Sequence, residues 1–133
     1  MFYGCSSLKK IDLLNFNTQN ATDMSYMFSK CSSLSSLDLS NFKTLNSSNM
    51  CKMLSVCSSL VCVNLYNFNP EKFAKNNCDI KTELFGLFEG CSALKGNILV
   101  KDYKTREILK ALNNWIFIWV SIKFIIIIYE NFK

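Results

Sequence analysis

Residues Met27–Thr44 read MFSKCSSLSSLDLSNFKT, and the tetrapeptide inside them, Cys31–Leu34, recurs along the chain. Cys-Ser-Ser-Leu stands again at Cys5–Leu8 and Cys57–Leu60, and as Cys-Ser-Ala-Leu at Cys91–Leu94. The copies are 26 residues apart twice and then 34 apart. A fixed period in this range marks a solenoid, whose units cannot bury their apolar sides alone and so stack on one another. Repetition of this kind builds a surface. Binding is its default role, and catalysis needs a separate argument.

Alignment on the cysteines brings out two phases. Downstream, apolar residues recur at Ile11, Leu37 and Val63, then at Leu13, Leu39 and Leu65, followed by Asn-Phe at Asn15–Phe16, Asn41–Phe42 and Asn67–Phe68. The alternation across Ile11-Asp12-Leu13 has the period of two of a short strand with one buried face. Upstream, Met24, Met27, Phe28 and Cys31 follow i, i+3, i+4, i+7, one face of an α-helix. Met50, Met53, Leu54 and Cys57 repeat this spacing, as do Leu84, Leu87, Phe88 and Cys91. Thr22 or Asp23 can cap the first of these helices, and Ser48 or Asn49 the second. The spacing predicts an α/β chain, a leucine-rich-repeat-like solenoid of about 3–4 strand–loop–helix units with period 26. It would occupy residues 1–100, with units near 1–16, 17–42, 43–68 and 69–100.

The Leu-x-x-Leu-x-Leu strand signature is the one that lines a leucine-rich-repeat horseshoe. The longer pattern at Met27–Thr44 resembles the BspA-like leucine-rich repeat surface proteins, and the likeness covers roughly residues 1–100. It implies a non-enzymatic, adhesion-type protein that binds protein or cell-surface partners at the cell surface or on a membrane. One departure stands out. Phe16, Phe42 and Phe68 occupy the place where an ordinary leucine-rich repeat often turns the chain with Asn, and Asn sits one residue earlier.

The chain has 133 residues, half of them hydrophobic, which suits one domain with its own core. Met1-Phe2 matches Met27-Phe28 in phase, so the first unit lacks its predicted helix and the expectation is a fragment or a shortened array. No charged stretch followed by an apolar run opens the chain, so no secretory leader is expected there. The net charge of +5 comes from scattered lysines, and the aromatics sit in core phases, which argues against nucleic acid as a partner. Residues 69–83 hold the eight-residue excess of the last interval (34 − 26), with Pro70 and Asn76–Asn77 marking a loop. A final strand is expected in Lys95–Val100. Tyr103–Asn113 then places Ile108, Leu109 and Leu112 on one side of a helix, so residues 101–114 are predicted to form a C-terminal cap.

Seven cysteines invite a metal or a disulfide. Zinc needs close ligand pairs, usually with His, and this chain has no His and no Cys-x-x-Cys. No metal or cofactor is expected. Cys5, Cys31, Cys57 and Cys91 hold one phase on the apolar face, which predicts a ladder of small buried hydrophobes. The spacing of stacked strands permits a disulfide between neighbouring units, but parallel side-chain vectors oppose it. Cys51, Cys62 and Cys78 are off phase and expected to be exposed.

Residues alternating with the buried strand positions point outward: Lys10, Asp12, Leu14; Ser36, Asp38, Ser40; Cys62, Asn64, Tyr66. Stacking aligns them as columns on a concave sheet, the usual binding surface of a solenoid. Lys10, Asp12, Leu14, Ser36, Asp38, Ser40, Asn64 and Tyr66 are the candidate binding face for an unidentified protein or cell-surface ligand. The plainer alternative makes them solvated edge positions of a structural, membrane-tethered repeat fragment with no independent ligand. Catalytic motifs are missing: no His, no Gly-x-Ser-x-Gly elbow, and only four Gly. An enzyme is not expected, and an exposed Cys62 nucleophile is a distant third reading. Two sequons, Asn20-Ala-Thr22 and Asn46-Ser-Ser48, recur at the period and read first as loop and capping residues.

Residues 115–133 break the pattern. Trp115–Tyr129 (WIFIWVSIKFIIIIY) has only Ser121 and Lys123 as polar members. As a helix it spans about 22 Å, short of a hydrocarbon core of about 30 Å. Lys123 in its middle would cost about 2.5–3.5 kcal/mol in the bilayer. A membrane anchor, an appended extension and an end-cap are the three readings. Lys101, Lys104, Arg106 and Lys110 precede the tail and Lys133 follows it, a bias that keeps the body cytoplasmic, against the surface display that the resemblance implies.

Overall fold

Leu37, Val63 and Ile98 are buried at 2–3% exposure, whereas Ser36, Asp38 and Cys62 beside them are exposed. This is the period-two alternation of strands with one wet face. The structure, a computed structural model, describes residues 1–44, 49–70, 84–94 and 97–113. The strands are β1 (Ser36–Asp38), β2 (Cys62–Asn64) and β3 (Asn97–Leu99), in one parallel sheet of order β1-β2-β3. Register pairs Ser36, Leu37 and Asp38 with Cys62, Val63 and Asn64, and these in turn with Asn97, Ile98 and Leu99. The first pair is offset by one period. The second is offset by 35 (97 − 62), one more than the cysteine interval, so the extra residue lies between Leu94 and β3.

Behind the sheet the repeat positions form one core. Cys31, Cys57 and Cys91 belong to it, as do Leu34, Leu60 and Leu94, and Phe28, Leu54 and Phe88. Leu39, Leu65 and Val100 continue it past the strands. Burying such side chains is worth about 1.5–3 kcal/mol each, which makes this continuous cluster the main stabilising feature.

The predicted helices at 24–31, 50–57 and 84–91 are corrected by the structure. Their apolar positions are buried, apart from half-buried Met27, but residues 25–30, 51–56 and 84–90 form consecutive turns, not α-helix. The N–H groups alternate in destination. Met27, Ser29 and Cys31 donate to Met24, Tyr26 and Phe28 carbonyls at 3.3, 3.1 and 3.1 Å, closing short turns. Met24, Tyr26, Phe28 and Lys30 instead donate across to Asn49, Cys51, Met53 and Ser55 carbonyls of the next unit, at 2.9, 3.1, 2.9 and 2.8 Å. An α-helix would send every such donor four residues back along its own chain. Here a neighbouring unit supplies acceptors along the whole segment, and positive φ at Tyr26, Lys30, Lys52, Val56, Gly86 and Gly90 keeps the backbone out of a helix. Each unit is strand, loop and turn run.

The expected caps start these turns. Asp23 Oδ1 accepts from Ser25 N at 2.8 Å and Asn49 Oδ1 from Cys51 N at 3.0 Å, while Asp23 and Asn49 form an isolated parallel bridge. The first expected strand is also corrected. Ile11–Leu13 forms no ladder, although Leu13 is buried, and Ser35 N reaches Lys9 O only at 3.5 Å. Among the described residues this segment has a neighbour on one side only, which weakens a ladder.

Helix α1 (Tyr103–Asn113) follows β3 as expected. Asp102 caps it, with Oδ1 accepting from Thr105 N at 2.8 Å. Leu109 is fully buried within the core and Ile108 is half-buried. The Leu112 side chain, Ser48, Cys78, the second sequon, residues 71–83 and the Trp115–Tyr129 tail lie outside what is described. Among the described residues no helix is long and apolar enough to cross a membrane.

Candidate functional site

The outward face of the sheet is assembled by the parallel register. It sets exposed Ser36 beside exposed Cys62, and exposed Asp38 beside half-buried Asn64. Ser40 and Tyr66, just past these strands, are half-buried. Lys10, Asp12 and Leu14 are exposed, Leu14 at 75%, but they lie where no ladder forms, so pairing does not fix their alignment with β1.

The acidic and amide column has a local task. Asp12 Oδ1 accepts from Leu14 N at 2.9 Å, Asp38 Oδ1 from Ser40 N at 2.9 Å, and Asn64 Oδ1 from Tyr66 N at 3.0 Å. A short carboxylate or amide that bonds the backbone two residues on closes an Asx turn. Burial raises the Asp38 carboxyl pKa. The Ser40 hydroxyl and N–H, with the Asn64 amide, outweigh burial and hold it below its ordinary value. The Asn before Phe42 and before Phe68 ties units together: Asn41 Nδ2 donates to Leu13 O at 2.6 Å, and Asn67 Nδ2 to Ser40 O at 2.5 Å.

The phased thiols are placed for packing. Cys31, Cys57 and Cys91 each direct Sγ to a carbonyl of the preceding unit, at Phe2, Phe28 and Leu54, all at 3.1 Å. Burial pushes the Cys31 thiol up, the Cys57 thiol up to about 11 and the Cys91 thiol up to about 12. Thiols kept protonated in this way are poor nucleophiles. Cys5 and Cys62 are exposed and Cys51 is half-buried. A buried Ser29–Ser55 hydroxyl pair at 2.8 Å adds one polar rung at the period.

The turn runs carry a ridge that the strand pattern did not reveal. Lys30 Nζ lies 5.2 Å from the centre of the Tyr3 ring, and the Tyr3 and Tyr26 rings meet edge-on at 6.4 Å. Lys52 Nζ lies 5.7 Å from the Phe85 ring centre and 3.2 Å from Glu89 Oε2. The signal lay in the residues between the apolar stripe positions, where Tyr26, Lys52 and Gly86 share one phase. An apolar gap among Leu39, Phe42, Met50, Met53, Leu65 and Phe68 has only Thr44 as a polar lining group, too few to orient a small molecule. Among the described residues no group of three or more His, Cys, Asp or Glu is placed to hold a metal ion.

The family described as "Mycoplasma protein of unknown function, DUF285" matches residues 1–81. The chain belongs to the DUF285 family. No curated protein and no solved structure matches it. The matched part of this DUF285 chain carries the first three Cys-Ser-Ser-Leu joints together with β1 and β2, while β3 and α1 lie beyond it.

Proposed function

We propose that this DUF285 chain is a leucine-rich-repeat-like solenoid, related to the BspA-like surface proteins, that presents its strand face to a protein or cell-surface partner and carries no enzymatic activity. One observation carries the reading: parallel register sets Ser36 beside Cys62 and Asp38 beside Asn64 while Leu37 and Val63 are buried behind them. A face whose side chains are fixed by register and lie outside the core can vary without disturbing the stack, which is how repeat proteins acquire ligands. Location at a cell surface, and anchoring through Trp115–Tyr129, rest on the resemblance and on the hydrophobicity of the tail.

A second reading has its own support. Asp12, Asp38 and Asn64 each direct Oδ1 to their own backbone, which favours a structural repeat without an independent ligand. The two separate at side chains that take no part in the turns. The double variant Ser36→Arg with Cys62→Arg should cut retention of the labelled chain on immobilised cell-surface proteins by about tenfold or more, with an unchanged circular dichroism spectrum. Retention equal to wild type would remove the binding-face reading and leave the structural one.

A further inference from the structure

The ladder of turn runs fixes which side chains share its outer surface. Phe28, Met53, Leu54, Leu87 and Phe88 fill the core, and several residues between them stay outside. Tyr26 is 45% exposed, Val56 44% and Phe85 61%, one in each of three successive runs. Scattered apolar side chains are ordinary on a protein surface, but these three share a ladder with Lys30 and Lys52. Lys30 closes the run of Tyr26, with its Nζ over the Tyr3 ring, and Lys52 Nζ lies over the Phe85 ring. Glu89, paired with Lys52 at 3.2 Å, is the one acid in residues 25–30, 51–56 and 84–90, so the three runs are net positive. The backbone donors are satisfied within the ladder. Every N–H of residues 25–30 and 51–56 donates to a carbonyl or to a side-chain oxygen of Asp23 or Asn49.

We propose that this ridge is a docking surface for an anionic lipid bilayer, with Tyr26, Val56 and Phe85 at the headgroup boundary and Lys30 and Lys52 against lipid phosphates and carboxylates. The bonded backbone admits that occupant, because non-helical backbone approaches an apolar phase only where its hydrogen-bonding groups find partners. The side chains suit it too. Aromatic rings and long lysine stems settle at a membrane interface, apolar body inward and polar tip in water. Runs lying side by side at about 4.8 Å make an extended surface, which matches a planar partner better than a small ligand. Positive charge selects an anionic leaflet, where each Lys adds to binding. Among the described residues no carboxylate pairs with Lys30, so its charge is available.

The full chain carries the reporter: Val56→Cys labelled with nitrobenzoxadiazole, with Cys5, Cys51, Cys62 and Cys78 replaced by Ser and Cys31, Cys57 and Cys91 left buried. A companion chain with Val56 intact is labelled instead at native Cys62 on the sheet face. The apolar stretch Trp115–Tyr129 gives the chain a separate route onto vesicles, so the ridge label, not sedimentation, is the readout. With vesicles of phosphatidylcholine and phosphatidylserine, emission from the ridge label should shift to the blue, and emission from the sheet label should not. Lys30→Gln with Lys52→Gln should lower the ratio of shifted to unshifted ridge label about tenfold, with an unchanged circular dichroism spectrum. No shift at the ridge, an equal shift at both labels, or an equal ridge shift on phosphatidylcholine alone overturns the proposal. A shift that grows with chain concentration without lipid overturns it in favour of a second copy. A shift produced by soluble polyglutamate but not by vesicles overturns it in favour of an acidic protein.

Discussion

Cys57 and Cys5 stand in identical Cys-Ser-Ser-Leu tetrapeptides, yet one is buried and the other exposed. Local sequence therefore does not set their chemistry; a preceding unit does, through its carbonyl and its apolar cover. Iodoacetamide at pH 8 should modify Cys5 and Cys62 quickly and Cys31, Cys57 and Cys91 only on unfolding, as read by peptide mass spectrometry. The same shifts give a pH dependence. Cys57 and Cys91 ionise near 9.0 when unfolded but near 11 and 12 when folded. Their contribution to stability is therefore complete below pH 9.0 and lost as the pH rises to 11–12, where urea midpoints should fall. Asp38 tests the turn column. Asp38→Asn keeps an acceptor where Asn64 already shows that an amide serves, whereas Asp38→Ala should cost about 0.5–1.5 kcal/mol in urea unfolding. The expected burial of Cys5 is corrected, since its thiol is exposed, whereas the buried thiol phase was legible from the period at Cys31, Cys57 and Cys91. The Asx role of Asp12, Asp38 and Asn64 was not, because an outward carboxylate looks the same in sequence whether it serves a ligand or its own backbone.

The turn runs show where periodicity misleads at the scale of the element. Met24, Met27, Phe28 and Cys31 have helical spacing because turns of three to four residues also bring those positions to one side. The missing signal was the left-handed phase. Gly4, Lys30, Val56 and Gly90 share one position and all have positive φ, from 59 to 73°. Two glycines in four copies hint at it, but Lys and Val conceal it. Val is a poor occupant, since a β-branched residue in the left-handed region is strained. Val56→Gly should therefore raise stability by up to about 1 kcal/mol, the relief of strain exceeding the added entropy of the unfolded chain. Gly90→Ala should lower it by about 1–2 kcal/mol, because φ is +73° and a Cβ there would lie 3.2 Å from the Val56 Cα. Opposite signs in thermal or chemical unfolding bear this out; equal signs contradict it. Helix α1 was read with its bounds intact from the spacing of Ile108, Leu109 and Leu112; in the structure Asp102 caps it and Leu109 anchors its apolar side.

At the scale of the whole molecule, neighbouring units join through the sheet, the turn runs, the Asn side chains and the thiols, all at the period. The positions of β1 to β3 and the core were legible because burial follows the apolar phases directly, whereas the missing ladder at Ile11–Leu13 was not. The turn ladder was not, since its hydrogen bonds join backbone groups that leave no mark on residue type. The ridge of Tyr3, Tyr26 and Lys30 was missed for a related reason: exposed residues need no apolar phase. The binding face depends on one central claim, that residues one period apart are lateral neighbours. Pyrene fluorescence tests it in a chain with Ser36→Cys and native Cys62 labelled, and with Cys5, Cys51 and Cys78 replaced by Ser. Parallel strands lie about 4.8 Å apart, so stacked units predict strong excimer emission that vanishes on unfolding. Monomer emission alone from the folded, doubly labelled chain would contradict the stack.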